Sequence, residues 1–133
     1  MTESQSPVKV TSKRRVEYRK SGWKVHDFEV WSGEKICKVA TICMGGSLLV
    51  WVGGEQAKLS EMALGMPAQR SEDALGTTLF GKEHNVTSLA CRLATRLSKP
   101  VYVGSGLVFD RFTAPLVEKG IALEIKQHPE YFT

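Results

Sequence analysis

Apolar residues are most concentrated in the segment 47–53, Ser-Leu-Leu-Val-Trp-Val-Gly, where five of them follow one another with glycines on either side. A run this short cannot make a buried helix, and its β-branched and aromatic residues favour a strand. Because successive side chains of a strand point to opposite faces, Leu49 and Trp51 share one face and the other three apolar residues share the opposite one. Both faces of this central strand are therefore predicted to need cover.

Apolar runs on either side of the central strand predict further strands. Alternating positions over 23–31, a Ser-Gly-Glu turn and a second run over 36–42 predict a β-hairpin. Short glycine-containing links then lead into the central strand and out again towards 59–66. Because parallel neighbours need long crossovers, these four strands are predicted to form an antiparallel meander. A short strand or an irregular edge piece is predicted at 74–81, and a second short strand at 101–103.

Two segments carry the three- and four-residue spacing of apolar positions that is typical of amphipathic helices. The first is 86–97, with Asn85 as a candidate N-cap and Pro100 just beyond its end. The second is 115–127, which is followed by Pro129. Together these patterns predict an α+β fold, with a mainly antiparallel five- to six-stranded sheet and two helices packed on one face.

Two helices can cover one face of such a sheet, and no further apolar element remains to cover the other. An exposed apolar sheet face is typical of a protein–protein contact surface. We therefore predict that the helix-free face is available for dimerisation. The predicted dimer-face residues are Leu49, Trp51 and Tyr102, although the pattern leaves open which face the helices take.

The net charge of +4 is concentrated at the amino terminus. Residues 1–24 hold seven basic and two acidic side chains, whereas the rest of the chain holds 11 basic and 12 acidic ones. This predicts a basic, flexible tail over residues 1–20, followed by a single α+β domain over 21–133. The alternative interpretation is a small nucleic-acid-binding module that uses the basic tail. Because the tail has few aromatic side chains that could stack on bases, nucleic acid is the less favoured partner.

The cysteines also bear on the cellular compartment. Cys37, Cys43 and Cys91 form no Cys-x-x-Cys pair, which fits reduced thiols. No apolar run approaches the roughly 20 residues that span a bilayer, so we expect no membrane partner. These features predict a cytoplasmic protein that can also occur in the nucleus.

Candidate catalytic and metal-binding residues are scattered along the chain. His26, His84 and His128 have no second ligand at metal-binding spacing, and the segment 104–106, Gly-Ser-Gly, lacks the spacing of a nucleophile elbow. We predict no catalytic residues, no metal site and no cofactor. A site assembled from residues far apart in sequence, such as His84 and Ser105, is the remaining enzymatic alternative.

Three segments and one shorter motif together resemble the proteasome assembly chaperone 4 family. Residues 47–53, SLLVWVG, are similar to an apolar strand that ends in Trp-Val-Gly, and residues 89–103, LACRLATRLSKPVYV, resemble the family's helix and the strand after it. Residues 116–132, LVEKGIALEIKQHPEYF, resemble its closing helix, and 79–81, Leu-Phe-Gly, stands where the family has a similar apolar pair and glycine. The resemblance covers roughly residues 46–132. The chain departs from the family pattern in two places, its long basic amino terminus and the short connection that follows Leu-Phe-Gly.

The resemblance implies a non-enzymatic chaperone that forms a heterodimer and promotes formation of the alpha ring of the 20S proteasome core particle. The implied partners are a proteasome assembly chaperone 3-like subunit and proteasome alpha-type subunits. The family has no catalytic residues to transfer. Arg92 and Arg96, on the outer side of the first predicted helix, suit a partner's carboxylates and are candidate alpha-subunit contacts, although exposed arginines more often mark a solvated helix face.

Overall fold

The computed structural model describes residues 9–11, 14–68, 74–81, 85–107 and 112–133. Near the amino terminus, strands β1 (Lys9–Thr11) and β2 (Arg14–Val16) pair antiparallel as a separate two-stranded sheet. Both strands fall within the predicted basic tail, of which residues 1–8, 12 and 13 lie outside the described ranges. The flexibility of that tail stays a prediction.

The other strands form one six-stranded sheet. In chain order they are β3 (Lys24–Ser32), β4 (Lys35–Cys43), β5 (Leu48–Gly53), β6 (Glu61–Met66), β7 (Leu75–Phe80) and β8 (Val101–Ser105). In space they follow the order β3-β4-β5-β8-β6-β7, and every neighbouring pair is antiparallel except β5 and β8. The prediction of a mainly antiparallel five- to six-stranded sheet is confirmed.

The two helices agree with the sequence prediction. Helix α1 (Asn85–Leu97) is closed by Ser98, a left-handed residue with a φ of 56°, whose amide donates to the carbonyl of Ala94 at 2.8 Å. Helix α2 (Thr113–Gln127) is followed by a short 3-10 turn, Pro129–Tyr131. Neither helix of the described ranges has the length and apolar character that crossing a membrane requires.

The predicted four-strand meander is wrong at its fourth strand. Strands β3, β4 and β5 are antiparallel neighbours in sequence order, but β8 lies between β5 and β6. The link 54–60 is longer than a tight hairpin turn, so it can pass one strand position before β6 begins. Helix α1 then provides the crossover from β7 to β8, which allows β8 to enter the sheet parallel to β5.

Both helices pack on the sheet face that carries Val50, which settles the question that the sequence left open. Helix α1 contacts β6, β7 and β8, and α2 contacts β3. Two glycines permit this close packing: a Cβ atom on Gly65 would collide with the backbone of Ala90, and one on Gly120 would collide with the side chain of Val30. The prediction that two helices cover one face of the sheet is confirmed.

The hydrophobic core lies between this face and the helices. Its fully buried side chains include Leu48, Val50, Val52, Leu93, Val101, Val103, Ile121 and Phe132. Phe132, which follows the 3-10 turn, meets the ring of Phe28 edge-on with 6.4 Å between ring centroids. Burial of a phenylalanine side chain stabilises a fold by about 1.5–3 kcal/mol, so Phe132 anchors the C-terminal turn to β3.

Candidate functional site

The helix-free face of the sheet carries a line of apolar side chains that crosses five neighbouring strands. In order across β3, β4, β5, β8 and β6, its members are Val25, Ile42, Leu49, Tyr102 and Leu64. Residues that lie opposite each other on paired strands point to the same face. These five residues therefore form one continuous strip, which we name the apolar row.

The apolar row is open to solvent. Val25 is 69% exposed and the other four side chains are only partly buried, whereas Val50 and Val103 on the helix side are fully buried. A sheet that leaves one face to water normally places polar residues on that face. An apolar strip in this position is typical of a surface that contacts another protein.

A second line of residues runs beside the apolar row, and the chain itself covers part of it. Its members are Asp27, Ala40, Trp51, Gly104, Met62 and Phe80. The indole of Trp51 lies over Gly53, and its Nε1 donates to the carbonyl of Lys58 at 2.8 Å. The side chain of Leu59 lies against Gly104. A Cβ atom on residue 104 would collide with this leucine side chain. The link 54–60 thus shields the middle of this second line.

The face continues beyond these two lines towards the β3–β4 turn. There Glu29 lies opposite Lys38, and Trp31 lies opposite Ile36 with both apolar side chains exposed. The face therefore combines an apolar centre with a pair of opposite charges and a further apolar pair at one end. Charges beside an apolar patch favour one orientation of a partner over others.

All three residues predicted for the dimer face lie on the helix-free side. Leu49 and Tyr102 are cross-strand neighbours within the apolar row, and Trp51 lies in the second line. Sequence analysis did not assign Ile42 or Leu64 to this face, because their assignment needs the pairing register of β4 and β6. The role of these residues in dimerisation stays a prediction.

The two arginines predicted as alpha-subunit contacts lie on the opposite, helix-covered side of the molecule. Arg92 Nη1 donates to Glu118 Oε1 at 2.7 Å and so connects α1 to α2. Arg96, one helical turn further along α1, is exposed. Their contact with alpha subunits stays a prediction, and Arg92 already has an intramolecular partner.

The histidines that the structure describes have structural contacts. His26 Nε2 lies 2.8 Å from Glu124 Oε2, and the His26 ring stacks on Tyr131 with 4.0 Å between centroids. These contacts join β3 to α2 and to the C-terminal turn. Among the described residues, no group of three or more His, Cys, Asp or Glu side chains could hold a metal ion.

The enzymatic alternative joined His84 to Ser105. Ser105 is buried, and its hydroxyl donates to the carbonyl of Leu107 at 2.7 Å and accepts from the amide of Leu107 at 3.0 Å. His84 lies outside the described residues. The hydroxyl of Ser105 is thus occupied by a local turn, and a pairing with His84 stays a prediction.

A sequence profile described as proteasome assembly chaperone 4 matches residues 37–107, which is more than half of the 133-residue chain. The chain belongs to the proteasome assembly chaperone 4 family. The matched residues include β5, α1 and β8, which carry two of the three segments on which the family resemblance was based. Membership of the proteasome assembly chaperone 4 family supports a role in proteasome assembly.

A solved structure has a similar fold. It is a chain from the crystal structure of a novel chaperone complex for yeast 20S proteasome assembly, with a TM-score of 0.51 and 17% sequence identity. The match covers 81% of this proteasome assembly chaperone 4 family member and 93% of the yeast chain. At this identity the comparison shows a common fold. No curated protein sequence matches the chain.

Proposed function

We propose that this protein is a proteasome assembly chaperone that forms a heterodimer with a related, proteasome assembly chaperone 3-like subunit. The heterodimer promotes formation of the alpha ring of the 20S core particle and contacts proteasome alpha-type subunits, with Arg92 and Arg96 as candidate contacts. It acts without catalysis and without a cofactor. Its compartments are the cytoplasm and the nucleus.

The observation that carries this proposal is the apolar row on an uncovered sheet face. Six strands about 4.8 Å apart and about 20 Å long present a face of roughly 550 Å² in projection. The accessible area of a surface covered with side chains exceeds its projection, and a standard interface buries about 800 Å² per partner. The helix-free face, part of which the link 54–60 covers, is comparable in size to one side of a standard interface.

A charge placed in the apolar row tests the heterodimer. Leu49→Asp should abolish co-purification with a proteasome assembly chaperone 3-like chain, because a carboxylate buried in an apolar interface has no partner. Light scattering should then report a monomer. The matched control is Leu116→Asp on α2, which makes the same substitution at a leucine that is 41% exposed and outside the apolar row, and it should leave the heterodimer intact.

The same two variants test the role in alpha-ring formation. In cells depleted of the endogenous chaperone, the wild-type chain and Leu116→Asp should restore assembled alpha rings on native gels, and Leu49→Asp should not. Normal ring formation with Leu49→Asp, or equal failure of both variants in a folded state, would contradict the proposal.

A further inference from the structure

A second surface lies on the helix-covered side of the molecule, in the open groove between α1 and α2. The section of the groove near the C-terminal ends of the two helices has a volume of about 470 Å³. Its apolar lining comes from both helices and consists of Leu97, Ala122, Leu123 and Ile125. Leu123 is 53% exposed, so a large apolar side chain stands uncovered in this groove.

Three basic side chains surround this apolar lining. Arg96 lies on α1, and Lys119 and Lys126 lie on α2. None of the three makes an ion pair with another residue of the described ranges. The acidic side chain that lines the adjoining section of the groove, Glu118, is already bound to Arg92 at 2.7 Å. Among the residues that the structure describes, the groove therefore presents positive charge that carboxylates do not offset.

The positions of these charges are only partly explained by the stability of the helices. Arg96 and Lys126 lie in the last turns of their helices, where a cation favourably offsets the negative end of the helix dipole. Lys119 lies in the middle of α2 and has no such effect. Leu123, at 53% exposure, likewise stands among these cations and outside the buried core. A partner with complementary chemistry accounts for both observations.

We propose that this groove binds an acidic segment of a partner protein. A leucine-sized side chain of the segment packs against Leu123 and Ala122, and flanking carboxylates pair with Arg96, Lys119 and Lys126. A nucleic acid fits less well, because the described residues that line the groove include no aromatic ring on which a base could stack. The phosphates of a nucleic acid would also leave Leu123 uncovered. The groove is separate from the apolar row, so the proposal does not depend on dimerisation. Because it uses Arg96, it deepens the proposed contact with alpha-type subunits and rests on that part of the proposed function.

Fluorescence anisotropy of a labelled probe tests the groove. The probe is a fluorescein-labelled synthetic peptide of glutamates with leucines at helical spacing, and the full chain is titrated into it. We expect saturable binding that the double variant Arg96→Glu with Lys126→Glu weakens by about tenfold or more, since it turns two attractive contacts into repulsive ones. Leu123→Asp should weaken binding as well, because it replaces the apolar contact by a like charge.

The matched control carries the same charge change on the other side of the molecule. Lys38 lies on the helix-free face, and Lys58 lies in the link 54–60, which covers part of that face. The variant Lys38→Glu with Lys58→Glu should therefore bind the peptide as the wild type does. Circular dichroism establishes that each variant is folded. Leu49→Asp should keep the peptide affinity while losing the heterodimer, so failure of this proposal is distinguishable from failure of the dimer proposal.

Four results would overturn the proposal. The first is an absence of saturable binding to the wild-type chain. The second is equal affinity for a control peptide in which serine replaces each leucine, which would indicate general attraction of anions. The third is equal weakening by both double variants. The fourth is displacement of the peptide by an RNA oligonucleotide of equal charge, which would indicate a surface for polyanions.

Discussion

The two faces of the sheet are built from the same strands, yet they differ in what covers them. On β5, Leu48 is fully buried beneath the helices, whereas its neighbour Leu49 is partly exposed on the other side. Both positions hold the same residue type. The apolar content of a strand therefore indicates how much surface must be buried, and the placement of the helices decides which face the chain buries by itself.

Truncation of these two adjacent leucines is the strongest test of that difference. Leu48→Ala should lower the free energy of unfolding by about 3 kcal/mol, because the site is enclosed and the lost methyl groups leave a cavity. Leu49→Ala should lower it by less than about 1 kcal/mol in the isolated chain. Urea denaturation measures both values, and equal losses at the two positions would show that the two faces do not differ as described.

The packing of α1 on the sheet is tested at Gly65. Gly65→Ala should destabilise the chain by about 1–3 kcal/mol, because the new Cβ atom meets the backbone of Ala90, which cannot rotate away. Gly46→Ala is the control, since a Cβ atom there has no heavy atom within 4 Å. Thermal unfolding followed by circular dichroism should separate the two variants, and similar midpoints would argue against close packing of α1.

The smallest effect concerns the part of the open face that the chain covers itself. Trp51→Phe removes the hydrogen bond to the carbonyl of Lys58 while keeping an aromatic ring, so it should cost about 1 kcal/mol of stability. The heterodimer should persist, because the apolar row is unchanged. A loss of heterodimer at full stability, measured by light scattering and urea denaturation, would place Trp51 in the interface itself, beyond its role in holding the link 54–60.

The elements that local patterns determine were predicted well from the sequence. Apolar spacing predicted a helix over 86–97 and the structure has Asn85–Leu97, because the periodicity and the stop signal at Pro100 lie within the segment itself. The alternation over 23–31 predicted the first strand of a hairpin, and the structure has β3 paired antiparallel with β4. Such signals need no knowledge of distant residues.

What depended on distant residues could not be predicted. The position of β8 between β5 and β6 reflects contacts between segments 36 to 53 residues apart, which no local spacing encodes. The apolar row also depends on residues far apart in sequence, because the pairing register of β4 and β6 is what aligns Ile42 and Leu64 with the other members of the row. The cover over Trp51 arises from the path of the link 54–60, whose glycine and polar residues indicated only a turn.

The place of β8 also has a consequence for how the chain reaches its fold. Strands β3, β4 and β5 can pair through local contacts. Strands β6 and β7 can also pair locally, and α1 can pack on them. Within the sheet that contains these strands, β8 joins the two groups. Pairing Leu48 with Val101 closes a loop of more than 50 residues, at an entropic cost of about 3–4 kcal/mol. During synthesis, a nascent chain that lacks β8 therefore exposes unpaired edges on β5 and β6 that can pair with strands of other chains. Strand β8, which emerges from the ribosome after the other strands that the structure describes, removes both edges at once.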